Sequence, residues 1–146
     1  MKKFIGKIAL LLLSSSLFSF ATKPGGEGFE IFLNNQLLVQ KFGANVSSSN
    51  SIDIASATAN DQLVVKYYHC GQAGKNRVIT IRDEQDHILK EFHYTDQTKP
   101  IVAISVPLKD ILPLKKGHTV LRLYYSSTEL PKGRMLAYFS TGSQRA

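Results

Sequence analysis

The sequence predicts an all-β fold, an antiparallel sandwich of about eight or nine short strands. Three observations support this. Runs rich in β-branched and aromatic residues recur, most clearly at 62–70 (QLVVKYYHC) and 119–126 (TVLRLYYS). Clusters of Gly, Asn, Asp and Pro separate these runs at regular spacing. No stretch carries a helical period over three turns. Short hairpins with a few longer connections suit two packed sheets, and a closed β-barrel is the alternative.

The chain has 146 residues, one Cys, no Trp and a net charge of +7. It is too short for two ordinary domains, and its 43% hydrophobic content excludes a disordered tail. Residues 1–21 (MKKFIGKIALLLLSSSLFSFA) read as a secretory signal peptide. Lys2, Lys3 and Lys7 precede an apolar run, and Ser19 and Ala21 supply small residues for a cut. A retained anchor is the alternative, but the apolar core is short and Ser-rich for a spanning helix. Cleavage would leave 125 residues, and the three lysines it removes take the charge to +4. That charge is an ordinary solubility margin, so no nucleic-acid partner is expected. A periplasmic or secreted protein follows, with no membrane span after processing.

Residues 22–28 (TKPGGEG) read as a flexible Pro/Gly-rich lead-in to a single domain over 29–140. Asn34-Asn35 between runs 29–33 and 36–42 is a tight-hairpin signal, because Asn tolerates positive φ. A polar loop over 43–50 precedes a brief strand at 51–54. After the 62–70 strand, 71–76 make a turn and 77–82 (RVITIR) a strand. The acidic turn 83–86 then leads to a partner strand at 88–94 (ILKEFHY). A strand at 101–106 is closed by Pro107, and Pro107 with Pro113 leave room for one helical turn in 108–114. The last strands are 119–126 and 135–140, with a frayed end over 141–146.

Alternation assigns faces. Leu63, Val65, Tyr67 and His69 share the inward face, and Val64, Lys66, Tyr68 and Cys70 the outward one. In the 119–126 strand, Leu121, Leu123 and Tyr125 point in, and Val120, Arg122 and Tyr124 point out. Cys70, alone in an oxidising compartment, is expected to pack as a small hydrophobe, with an intermolecular disulfide as runner-up. The parity of its strand argues for the outer face instead.

Few motifs suggest catalysis. His69 and Cys70 are adjacent and point to opposite faces of a strand, so they cannot form a nucleophile–base pair there. Glu91 and His93 share a face, with Asp86 and His87 nearby, but a third converging ligand is not visible and no HExxH motif exists. Asp83-Glu84-Gln85-Asp86 resembles a fragment of a calcium loop without its twelve-residue spacing. Residues 71–76 (GQAGKN) miss the phosphate-loop pattern in spacing and in the final Ser/Thr. Asn45-Val46-Ser47 matches a glycosylation acceptor, relevant only in a eukaryotic host. No catalytic residue, metal ligand or cofactor is therefore expected.

The most suggestive surface is aromatic and basic. Lys66, Tyr68, Arg122 and Tyr124 are the candidate ligand-binding residues, extended by Arg82 and Tyr138. Tyr beside Lys or Arg on an open sheet can stack on sugars or grip an anionic polymer. Such residues also serve plain packing, and the grouping requires the two strands to be neighbours.

Segments 27–38 (EGFEIFLNNQLL), 67–71 (YYHCG) and 123–137 (LYYSSTELPKGRMLA) resemble those of small exported proteins of unassigned role in Bacteroidetes-type bacteria. The resemblance spans most of the chain after residue 21. It implies export and compactness and carries over no functional residue.

The expected function is an exported, non-enzymatic binding or interaction module of the bacterial cell envelope. Its partner would be an envelope protein or a glycan. A glycan or small-molecule binder using the aromatic and basic face is the alternative. A hydrolase or metal-dependent enzyme with a loop-built site is the third.

Overall fold

Two open sheets pack face to face. The computed structural model describes residues 26–140; the signal peptide expected over 1–21 and the frayed end over 141–146 lie outside the described residues. Among the described residues nine strands form, in order β1 (Glu27–Leu33), β2 (Gln36–Phe42), β3 (Ser51–Asp53), β4 (Gln62–His69), β5 (Arg77–Arg82), β6 (Ile88–Tyr94), β7 (Ile104–Pro107), β8 (Val120–Ser126) and β9 (Arg134–Ser140). One sheet has the order β2-β1-β4-β7 and the other β3-β9-β8-β5-β6. The fold is the expected sandwich rather than a barrel. Every pairing is antiparallel except β3 with β9, which is parallel.

The core is what the alternation demands. Phe29, Ile31, Leu63 and Val65 from the first sheet meet Ile79, Ile81, Leu121, Leu123 and Phe139 from the second, all fully buried. Tyr67 and Tyr125 stack across the interior with ring centroids 4.3 Å apart, so β4 and β8 face one another. A single-turn helix α1 (Leu108–Ile111) follows β7 and buries Leu108 and Ile111, and a 3-10 turn over Leu112–Lys115 continues it. This is the one helical turn that the two prolines leave room for.

Local chemistry shapes the turns. Asn34 and Asn35 both adopt positive φ, 48° and 69°, as a two-residue hairpin between twisted strands requires. Asn34 also docks on β4: its Nδ2 donates to Asp61 at 2.8 Å, and its Oδ1 accepts from the Gln62 amide at 3.1 Å. Of the flexible lead-in expected over 22–28, residues 22–25 lie outside the described residues, and Glu27 and Gly28 belong to β1 rather than to a linker. Gly28 sits where a Cβ would meet the Phe42 ring and lie 2.6 Å from the Lys41 carbonyl, so a glycine permits this close strand approach. The strand expected at 101–106 begins only at Ile104. Its partner β4 accepts it from Gln62 to Val65, and the chain upstream is still crossing from the other sheet.

Candidate functional site

The six aromatic and basic residues fall on two faces. β4 belongs to the first sheet and β8 to the second, so one face cannot contain all four candidates. The alternation was read correctly on both strands, but strand adjacency was not available from it.

Lys66 and Tyr68 stand on the outer face of the four-stranded sheet, where neighbours engage them. Lys66 Nζ lies 4.9 Å from the Phe32 ring centroid. Tyr68 Oη donates to Glu30 at 2.7 Å, and its ring meets Phe42 edge-on at 5.1 Å. Burial and then the Glu30 bond hold the Tyr68 phenol up at about 12.

Arg122 and Tyr124 stand on the outer face of the five-stranded sheet, and there Arg82 and Tyr138 join them. Arg122 is the register partner of Arg82 on β5 and of Tyr138 on β9. Two arginines side by side across a strand pair repel unless an anion lies between them. Arg82 is held in place: its guanidinium lies 4.2 Å over the Tyr124 ring and its Nη1 bonds Asp86 at 3.0 Å. Arg122 forms no ion pair among the described residues. This face therefore combines one preorganised guanidinium, one uncommitted guanidinium and two tyrosines on a hydrogen-bonded sheet.

The acidic turn has a structural task. Asp83 accepts from the amides of Gln85 at 2.9 Å and His87 at 2.8 Å, and its other oxygen faces His87 Nδ1 at 3.0 Å. Glu84 reaches Thr119 Oγ1 at 2.6 Å and the Val120 amide at 2.9 Å, and those bonds hold its carboxyl well below the usual range. Glu91 and His93 do share a face, with Oε2 and Nε2 3.4 Å apart. Among the described residues, no three His, Cys, Asp or Glu side chains are placed to hold a metal ion. Cys70 is exposed rather than packed, because β4 ends at His69 and the chain turns at Cys70 with φ 53°.

A second polar assembly lies at one end of the sandwich, and it was not anticipated. Tyr67 Oη donates to Glu27 at 2.5 Å and accepts from Arg134 Nε at 3.0 Å. Arg134 also bonds Glu27 at 2.9 Å and Ser47 Oγ at 2.7 Å. Burial raises the Glu27 carboxyl, but the Tyr67 and Arg134 bonds outweigh it and hold the group below its usual value. Tyr125 Oη meets His69 Nε2 at 2.7 Å, and burial pushes that imidazole down and that phenol up to about 12. Beside them a narrow cleft with room for about one water is lined by Tyr67, Tyr125, Arg77, Gln97 and Lys99. The sequence did carry a signal here. Arg77 shares the inward parity of Ile79 and Ile81, and an inward charge on a strand is rare.

The fold and these surfaces define an all-β sandwich with a cationic, aromatic outer face and a polar end. Neither a scan against protein-family models nor a search of the curated proteins matches the chain. Among the described residues, no helix is long and apolar enough to cross a membrane.

Proposed function

We propose that the chain is an exported, non-enzymatic binding module of the bacterial cell envelope that takes its ligand on the outer face of the five-stranded sheet. The observation that carries this reading is the register pairing of Arg82 with Arg122 beside Tyr124 and Tyr138. A hydrogen-bonded strand array holds these groups side by side, which suits repetitive, charged or hydroxylated ligands such as glycans. Export rests on residues 1–21 and on the resemblance of segments 27–38, 67–71 and 123–137 to small exported proteins.

The test uses thermal unfolding against sugars, glycan fragments and heparin-like polyanions. A ligand at about 100 times its Kd stabilises by about 2.7 kcal/mol, which moves Tm by several degrees in a domain of this size. Arg122→Ala and Tyr124→Ala should abolish the shift, while Tyr68→Ala, on the opposite face, should preserve it. Equal loss in all three variants, or none in any, overturns the assignment.

A protein partner is the second reading. Leu37 and Leu38 are both exposed on β2, an edge strand of the first sheet. In that case Leu38→Lys abolishes co-purification of the partner from the envelope, and the ligand panel stays flat.

A further inference from the structure

We propose that the chain forms a homodimer through β6, two copies joining edge to edge so that their five-stranded sheets become one of ten. Among the described residues, four strands end the two sheets: β2 and β7 in the first, β3 and β6 in the second. A sheet edge carries unpaired amides and carbonyls, and proteins blunt it against an incoming strand. β2 is blunted by a bulge, since Ile31 pairs with Val39 and Phe32 with Leu37, leaving Leu38 over. β3 has only three residues, and β7 four, the last of them Pro107. β6 has seven, and from Lys90 to Tyr94 its pairing with β5 is unbroken.

β6 also overhangs the first sheet. The Tyr67–Tyr125 stack sets β4 opposite β8, so β7, next to β4, lies opposite β5, next to β8. Ile104 of β7 and Arg77 of β5 accordingly line the same narrow cleft. Tyr94 of β6 reaches back to this level, its Oη donating to the Ser105 carbonyl at 3.0 Å. No described strand of the first sheet is left to lie opposite β6. Phe92 and Tyr94, on the inward side with Ile79 and Arg77, therefore stay only half-buried.

A second copy of the chain fits this edge by charge. A two-fold axis perpendicular to the sheet keeps each face on its own side, so only residues of like parity meet across it. With the axis at Phe92, the two Phe92 side chains meet on the inner side, and Lys90 opposes Tyr94 of the partner subunit. On the outer side Glu91 opposes His93 of the partner subunit, twice over. Both side chains are open to such a neighbour, Glu91 at 45% exposure and His93 at 71%. Within one copy they already lie 3.4 Å apart, so the dimer closes a ring of four alternating groups. Moving the axis by one residue sets Glu91 or His93 against its own copy. Five paired residues bury little area, so the association is weak. It stands independently of any ligand, and it would present the Arg82–Arg122 face twice on one side of the joined sheet.

Sedimentation velocity of the purified protein under reducing conditions tests this. From about 5 μM to about 500 μM the protein should shift from monomer towards twice its mass. Reduction removes any dimer held by the exposed Cys70. Glu91→Lys sets lysine against histidine, and His93→Glu sets two carboxylates together. Each change enters twice across the axis and should weaken association by about tenfold or more. The double variant, Glu91→Lys with His93→Glu, recreates opposite charges and should restore it. Leu38→Lys, on the β2 edge, should leave it unchanged. Circular dichroism and Tm check the fold of each variant, which these exposed positions should leave intact. A monomer at every concentration overturns the proposal. So does a dimer indifferent to the single changes, one that the double variant fails to restore, or one lost in Leu38→Lys.

Discussion

Gly74 shows how a single atom constrains the polar end of the sandwich. A Cβ there would stand 2.8 Å from both His69 Nε2 and Tyr125 Oη, inside a hydrogen bond that is itself 2.7 Å long. Gly74→Ala should therefore destabilise by about 1–3 kcal/mol, as overpacking does. Gly26→Ala, where nothing lies within 4 Å, should change stability by no more than about 0.5 kcal/mol. Urea unfolding of the two variants makes the comparison, and equal effects would mean that space at Gly74 is not limiting. Arg134 is the matching case for charge. It joins Glu27, Tyr67 and Ser47, yet its side chain is 20% exposed and that of Glu27 35%. Solvent discounts the ion pair, so Arg134→Met should cost about 1–2 kcal/mol. A double-mutant cycle with Glu27→Gln should give a coupling of the same sign, and additivity would show that the two side chains act independently.

Strands and turns were legible wherever the determinant was local. The Asn34-Asn35 hairpin is an example, because the turn type follows from what two adjacent residues tolerate. Asn35→Gly should leave stability nearly unchanged. Asn35→Val must place a β-branched residue at φ 69° and should cost about 1–2 kcal/mol, measured by thermal unfolding. An unaffected Val variant would mean that the turn can relax to another type. Where the determinant was a partner, the reading failed. Glu27 and Gly28 look like linker but are strand, since Phe42 and Tyr67 lie beside them. The parallel pairing of β3 with β9 has no local signal, because Ser51–Asp53 pairs with residues 138–140, far along the chain. Residues 101–103 look like strand but lie in the connection between sheets.

The whole domain should respond to pH in a way that reads out its buried polar groups. Burial lowers the His69 imidazole below its usual 6.5, Arg77 reinforces this, and Glu129 and Glu27 oppose it. The unfolded chain then binds a proton that the folded one refuses, so stability falls as pH drops below about 6.5. Glu27, Glu84, Glu129, Asp61 and Asp83 are also held below their usual values. Their contributions are complete above the unfolded values, 4.5 for Glu and 3.8 for Asp, and are lost as pH falls below them. Burial raises the phenols of Tyr67, Tyr68, Tyr94 and Tyr125 above 10, so stability is lost again as pH climbs past that value. Tm against pH should form a plateau between about 7 and 9. His69→Gln should move the acid onset from near 6.5 to near 4.5, and an unmoved onset would assign that limb to other groups.

The division between chain and fold follows the range of the forces involved. Alternation, turn residues and the spacing of prolines act over two to four positions, so most of the strands, their sidedness and the fold class could be read directly from the residues, but not the strand ends at Glu27 and Ile104 that a distant partner sets. Lys66, Tyr68, Arg122 and Tyr124 were each placed correctly as outward-facing by that rule. Which outward residues share a face depends on strand order, and strand order is set by packing and pairing between segments far apart in sequence. That long-range step separated β4 from β8, set Arg82 beside Arg122, and brought Arg77 and Lys99 to one cleft. The candidate sites are in this sense products of the two-sheet packing, assembled from residues whose individual orientations were already written in the chain.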